Sequence, residues 1–144
     1  MLAYPVTLTE DEGWFIVESP DFPNVTAQGE TREEALADAV NAIATGIAMR
    51  IRNSESIPAP SFGMIGQPVV TLPTQVMLKA MIHGEMLRRK MSKADFARTV
   101  GWRPTQVVRL LDVTHASKLD AIDEAFGALG QQLEVSVRSS SPVS

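Results

Sequence analysis

Residues 92–111, SKADFARTVGWRPTQVVRLL, decide the organisation of this chain, because they predict two short helices joined by a tight turn. Ser92 is a suitable N-cap for the first helix, and Asp95 completes a weak form of the capping box. Gly101 ends that helix, since a residue without Cβ enters the left-handed conformation at the least cost. Pro104 suits the first turn of the second helix, where its missing N–H breaks no internal hydrogen bond.

The spacing of small and apolar residues in this stretch resembles the helix-turn-helix of bacterial repressors, whose second helix lies in the DNA major groove. Ala97 is small where two helices would cross, and Gly101, Val107 and Leu110 follow it in the chain. The alternative is an ordinary helical hairpin whose polar side is merely solvated.

We expect the DNA-contacting side chains to be Lys93, Arg103, Thr105, Gln106 and Arg109. Arginine pairs with guanine, glutamine with adenine, and threonine with a phosphate or a base edge. Lys93 is expected to neutralise a phosphate, which makes binding sensitive to salt without reading the sequence.

Composition predicts a cytoplasmic protein of one compact domain or two small ones. The chain has 144 residues, 44% of them hydrophobic, and no cysteine, which excludes disulfides and cysteine-based zinc sites. No apolar run reaches the length of a membrane span, and the first residues lack the pattern of a secretory signal.

Charge divides the chain into two unlike halves. Residues 1–56 carry three Arg against ten Asp/Glu, a net charge of −7, and residues 57–74 carry no charge. Residues 75–144 hold ten Lys/Arg against seven Asp/Glu, a net charge of +3, concentrated in Lys79–Arg109. This asymmetry indicates two partners of opposite charge.

The front half predicts a small antiparallel sheet covered by one helix. Alternating residues indicate strands at Leu2–Thr9, Trp14–Glu18 and Val25–Gln28. A capping box at Thr31 opens a long amphipathic helix. A proline-rich linker over about residues 56–66 then leads to a strand, Gln67–Leu72, that returns to the first sheet.

The back half predicts further helices and a final strand. A helix at Thr74–Arg89 precedes the helical pair, and another is capped by Ser117 and ended by Gly130. Leu133–Val137 alternates as a strand that needs a partner, so we expect a homodimer in which these strands pair, with a tetramer left open. The domains are thus 1–72 and 73–138, followed by a disordered tail, 139–144.

Motifs along most of the chain resemble the HicB antitoxin family. The front half carries Y-P-V, E-D-E-G-W-F-I-V, S-P-D-F-P-N-V-T and G-E-T-R-E-E-A-L-A-D-A. The back half, with M-S-K-A-D-F-A-R-x-x-G, R-L-L-D, S-K-L-D-A-I-D and L-E-V-S, is similar to the helix-turn-helix version of that family. One departure is Asn24, where the family often has Gly; Asn also tolerates left-handed backbone. The resemblance covers roughly residues 2–138.

The resemblance implies an antitoxin that silences HicA, a small basic ribonuclease toxin that cleaves mRNA, and that represses its own operon through operator DNA. It also implies an α+β fold: a reduced RNase H-like sheet with one packed helix, then a helix-turn-helix domain ending in a short strand. The acidic front half and the basic back half fit these two partners.

The candidate toxin-binding residues lie in the first turn and the P-D-F-P loop: Glu10, Asp11, Glu12, Trp14, Asp21 and Phe22. The two aromatic residues would act as anchors, and the carboxylates would steer a cationic toxin. The alternative is that Trp14 and Phe22 belong to the core and the carboxylates are solvated.

Two other functions compete with this interpretation. A nuclease would need metal-binding carboxylates, and Asp11, Glu18, Asp21 and Asp38 have no spacing that predicts a cluster, so we expect no enzyme, metal or cofactor. A ligand-sensing helix-turn-helix repressor without a toxin partner would share every feature of the back half.

Overall fold

The computed structural model describes residues 3–139, which form a mixed α/β fold with a small antiparallel sheet and five helices. The described strands are β1 (Ala3–Pro5), β2 (Thr7–Asp11), β3 (Trp14–Glu18), β4 (Thr26–Gly29) and β5 (Val69–Thr71). The helices are α1 (Arg32–Arg52), α2 (Thr74–Arg88), α3 (Lys93–Val100), α4 (Pro104–Leu111) and α5 (Leu119–Ala128). Leu2 of the first predicted strand and residues 140–144 of the predicted tail lie outside the described residues.

The main sheet is antiparallel with the order β2-β3-β4, which confirms the predicted hairpin. Leu8, Val17 and Ala27 stand opposite one another across its three strands. Side chains alternate between the two faces of a sheet, so this row defines one face, and α1 packs on that side. The burial of Val17 and Ala27, each 2% exposed, shows that the core lies there.

The prediction of one continuous strand over Leu2–Thr9 is wrong, because the chain changes sheets at Val6. β1 pairs with β5, whereas β2 pairs with β3. The fully buried Val6 lies between the two strands, and its N–H donates to the carbonyl of Pro68 at 3.0 Å. The strand predicted at Gln67–Leu72 therefore returns to β1 and not to the three-stranded sheet.

The first helix begins at the predicted N-cap Thr31, but only the Thr31 half of the capping box is formed. Thr31 Oγ1 accepts from the N–H of Glu34 at 3.1 Å, and the Glu34 carboxylate accepts from the N–H of Glu30 at 3.1 Å. The first bond satisfies a donor that the helix start leaves unpaired, and the second holds the residue before the N-cap against the same turn. The buried stripe of α1 then consists of Ala35, Ala39, Ile43, Ile47 and Ile51.

The proline-rich linker is held along the front half. Tyr4 donates its hydroxyl proton to the carbonyl of Pro58 at 2.7 Å, and burial raises the pKa of this phenol to about 12. Asp21 accepts from the N–H and the hydroxyl of Ser61, each at 3.1 Å. Both contacts bring the linker back onto the sheet domain.

The predicted cap at Ser117 is wrong. Lys118 occupies the N-cap of α5 without a side-chain cap bond, and Ser117 Oγ instead accepts from Lys79 Nζ at 2.7 Å. The partner of Ser117 lies 38 residues away in the sequence, so a local pattern could not indicate it.

The final strand predicted at Leu133–Val137 is absent from the described residues. The predicted helix-turn-helix domain therefore does not end in a strand. Residues 131–139 form no strand, and Val135 and Val137 are 80% and 94% exposed. A strand requires a hydrogen-bonding partner, and no segment within 3–139 pairs with these residues.

Candidate functional site

The segment of residues 92–111 forms the predicted pair of helices. Ser92 Oγ accepts from the N–H of Asp95 at 3.0 Å, and the Asp95 carboxylate accepts from the N–H of Ser92 at 2.9 Å, completing the capping box. These hydrogen bonds lower the pKa of Asp95. Gly101 adopts φ 76°, and its N–H donates to the carbonyl of Ala97 at 2.9 Å. The glycine thus ends α3 in the left-handed conformation that the sequence predicts.

Aromatic and aliphatic residues pack around the turn between α3 and α4. Phe96 is fully buried and meets the ring of Trp102 edge-on, with centroids 6.3 Å apart. Trp102 Nε1 donates to Glu124 of α5 at 3.1 Å. On α4 the buried side consists of Val107, Leu110 and Leu111.

The four predicted base-contacting residues of the second helix, Arg103, Thr105, Gln106 and Arg109, are all exposed. Thr105 and Arg109 lie one turn apart on α4 and share a face. Gln106 Oε1 accepts from the N–H of Arg103 at 2.8 Å, so this amide is already engaged in capping the helix. Gln106 and Arg109 line one side of a groove of about 490 Å³ that also includes His115 and Lys118.

Lys93 does not line the groove that Gln106 and Arg109 border. It is half-buried and lines a different groove, between α4 and the end of α1, beside Ile51 and Arg52. Lys93 and the pair Gln106 and Arg109 therefore border different grooves.

The sequence analysis did not predict the positions of two residues beside the exposed side of α4. Val108 is 56% exposed on α4 beside Arg109, although its apolar character suggested nothing but packing. Lys79, counted among the basic residues, is fully buried on α2, where its Nζ donates to the carbonyl of Arg109 at 3.2 Å. Burial lowers the pKa of this amine, and the nearby Asp112 carboxylate opposes the shift.

Three of the arginines in the back half are engaged in ion pairs on their own helices. Glu85 pairs with both Arg88 and Arg89, and Asp95 pairs with Arg98. Hydrogen bonds from the two arginines lower the pKa of Glu85 to about 2. The sequence analysis did not predict these pairs, although their spacing of three and four residues on a helix could have indicated them.

Some of the predicted toxin-binding residues are exposed, whereas the others contact residues of the chain itself. Glu10, Asp11 and Glu12 are exposed at the turn between β2 and β3, and Trp14 is 43% exposed. Glu12 and Gly13 have φ of 50° and 84°, the positive values of a type I′ hairpin turn.

The P-D-F-P loop does not present its aromatic residue. Phe22 is 2% exposed, packs edge-on against Tyr4 at 5.1 Å between centroids, and lies under the guanidinium of Arg50. Its proposed role as a surface anchor is therefore corrected to a core role, because an anchor must reach its partner. Asp21 is engaged with Ser61 of the linker.

The residues 3–139 contain no group of three potential metal ligands of the His, Cys, Asp or Glu type. Within the same residues, no helix combines the length and the apolar character needed to cross a bilayer.

Comparison with known proteins decides the family. A family model described as the HicB_like antitoxin of bacterial toxin-antitoxin system matches residues 3–81, more than half of the chain. The chain belongs to the HicB-like antitoxin family. The resemblance seen in the motifs is thereby confirmed at the level of the family.

Full-length relatives extend this match over both halves. Antitoxin HicB 1 of Photorhabdus laumondii is 35% identical to the HicB-like chain over 137 residues, which cover 94% of this chain and 87% of the relative. Antitoxin HicB of Escherichia coli K12 is 33% identical over 135 residues, covering 93% and 98%. A crystal structure of the Burkholderia pseudomallei antitoxin HicB matches with a TM-score of 0.45 and 18% identity, covering 70% of this chain and 94% of that one. Membership of this family supports an antitoxin role in a toxin–antitoxin system and implies a toxin partner.

Proposed function

We propose that the chain binds and neutralises a HicA-type mRNA-cleaving ribonuclease toxin and represses its own operon by binding operator DNA. The observation that carries this proposal is the match to HicB antitoxins along more than nine-tenths of the chain. The acidic front half suits a cationic toxin, since opposite charge speeds association. No catalytic role is proposed, and the likeness of the sheet domain to a reduced RNase H fold stays a prediction.

The geometry of α3 and α4 supports the DNA-binding part of the proposal. A left-handed Gly101 joins two short helices, and the second exposes Thr105 and Arg109 on the side opposite its buried residues. This arrangement fits a helix that lies in the major groove and reads base edges.

Arg109→Ala is expected to weaken operator binding by about 1–3 kcal/mol, because a bidentate contact to a base is lost. Lys93→Ala is expected to lower the salt slope by about one unit with little change in sequence preference, because a phosphate contact is lost. Fluorescence anisotropy with the promoter fragment at several salt concentrations measures both effects.

Arg32→Ala is the matched control, since Arg32 is an exposed arginine at the start of α1 in the front half. It is expected to leave operator binding unchanged. If Arg109→Ala and Lys93→Ala both bind like the unmodified chain, the DNA-reading element lies elsewhere.

The proposal includes a homodimer, because repressors of this class read two half-sites with two-fold symmetry. Exposed Val135 and Val137 belong to the segment Leu133–Val137, whose alternating pattern suits pairing with a second copy. Light scattering of the full chain at micromolar concentration is expected to give at least the dimer mass. A monomer mass alone would contradict the dimer.

A ligand-sensing repressor is the second candidate function, and a cleft in the front half favours it. This cleft of about 430 Å³ lies between the P-D-F-P loop and α1 and is lined by Phe22, Gly46, Met49 and Arg50 among others. The neighbouring gene discriminates the two candidates: a small basic protein with a single catalytic histidine supports the antitoxin, and its absence supports the sensor.

A further inference from the structure

The main sheet has a second face that no helix within residues 3–139 covers. Leu8, Val17 and Ala27 point toward α1, so the intervening residues of each strand point away from it. Thr9, Ile16 and Gln28 form the central row of this outer face, in register across the three strands. All of its side chains are exposed except Ile16, which is half-buried.

The outer face has an apolar centre with carboxylates on both sides. Trp14 and Ile16 are consecutive outward residues of β3, and Trp14 leaves 43% of its surface accessible. Asp11 stands opposite Trp14 on the neighbouring strand, and Glu18 follows Ile16 on the same face. Tryptophan is enriched among binding hot spots, and polar residues usually form the rim around such an apolar centre.

The charge around this face selects the kind of partner. Residues 1–31 contain six carboxylates, Glu10, Asp11, Glu12, Glu18, Asp21 and Glu30, and no Lys or Arg. Like charge disfavours a nucleic acid or an anionic membrane. It also disfavours a second copy, because a symmetric contact would place the same carboxylates against each other.

We infer that the outer face, centred on Trp14 and Ile16 with Asp11 and Glu18 at its sides, is the docking surface for the cationic toxin. The inference rests on the proposed function and gives the toxin-binding site a location. It moves that site away from the P-D-F-P loop, where Asp21 holds Ser61 and Phe22 is buried. Glu12, exposed in the turn between β2 and β3, extends the surface at one end.

Binding of the full chain to the HicA-type toxin of the proposed function, purified with its catalytic histidine replaced by alanine, tests the inference. Trp14→Ala is expected to raise the Kd about 30-fold or more, because the apolar anchor is lost. Glu18→Lys is expected to raise it about tenfold, mainly through slower association, and added salt should shrink this difference. Biolayer interferometry resolves both rates.

Glu33→Lys is the matched control, since it makes the same charge change at an exposed site in the first turn of α1, on the other side of the sheet. Its Kd is expected to stay within about twofold of the unmodified chain. Thermal unfolding of each variant shows that the sheet is intact, and Glu18 is exposed, so Glu18→Lys keeps the test valid if Trp14→Ala unfolds.

The outcomes separate the inference from the function on which it rests. If the unmodified chain binds and both face variants bind within about twofold of it, the inference is overturned and the proposed function stands. The same holds if Asp21→Asn weakens binding and Trp14→Ala does not, which returns the site to the loop. If the unmodified chain does not bind the toxin, the proposed function itself fails.

Discussion

Gly29→Ala is expected to lower the free energy of unfolding by about 3 kcal/mol, because the end of β4 touches the first turn of α1. A Cβ built on Gly29 would lie 2.5 Å from the backbone N of Ala35 and 2.7 Å from Cβ of Glu34. These atoms belong to the capped start of a helix, so they can yield only if the helix moves off the sheet. Urea unfolding measured by circular dichroism gives the change.

Gly84→Ala is the matched control for this prediction. Gly84 lies within α2, and a Cβ there meets nothing within 4 Å. Because alanine favours a helix more than glycine does, this variant is expected to gain up to about 1 kcal/mol. If Gly29→Ala and Gly84→Ala changed the free energy of unfolding equally and in the same direction, the close approach at Gly29 would be contradicted.

Lys79→Ala is expected to cost about 3 kcal/mol, because it removes both a buried stem and a buried donor. The amine of Lys79 joins the end of α4 to the following loop through the Arg109 carbonyl and Ser117 Oγ. Without it, two acceptors lose their partner in the interior. Lys79→Met retains the stem and is expected to lose less, since the desolvation of the amine is also removed.

The pH dependence of these variants identifies the amine. Burial lowers the pKa of Lys79 in the folded chain, so between that pKa and 10.5 the unfolded chain binds the proton that the folded chain has released. Stability contributed by this group therefore rises with pH in that window. The stability of the unmodified chain relative to Lys79→Met is expected to increase as pH approaches 10.5. A difference independent of pH would contradict the lowered pKa.

Local sequence rules predicted the elements whose causes are local. Thr31 and Ser92 are capping residues whose partners lie three residues ahead, and Gly101 ends α3 through its own conformation. The hairpin of β2 and β3 likewise depends on a turn between adjacent segments. In each case the deciding residues are neighbours in sequence.

The errors arose where the deciding partner is distant. Val6 continues an alternating pattern, and its hydrogen bond to Pro68 keeps it beside β5, whereas the next residues pair with β3. Ser117 has the composition of a cap but accepts a hydrogen bond from Lys79. Leu133–Val137 has a strand pattern without a partner in the described chain.

The candidate sites show the same limit. Sequence could not decide whether Trp14 and Phe22 are core or surface, because both follow apolar patterns. The register across the sheet places Trp14 on the outer face, whereas packing against Tyr4 buries Phe22. The sequence analysis counted Lys79 in the basic excess of the back half, but Lys79 is fully buried and adds no charge to the surface.

The most direct test of the account is an RNA-cleavage assay with the HicA-type toxin that the proposed function assigns to this chain. Increasing amounts of the purified full chain are added to a fixed amount of toxin and a labelled mRNA, and the intact RNA is measured. The account predicts that cleavage falls to background near equimolar chain, and that Arg109→Ala inhibits equally well because its surface lies in the back half. Unchanged cleavage in the presence of excess chain would contradict the account.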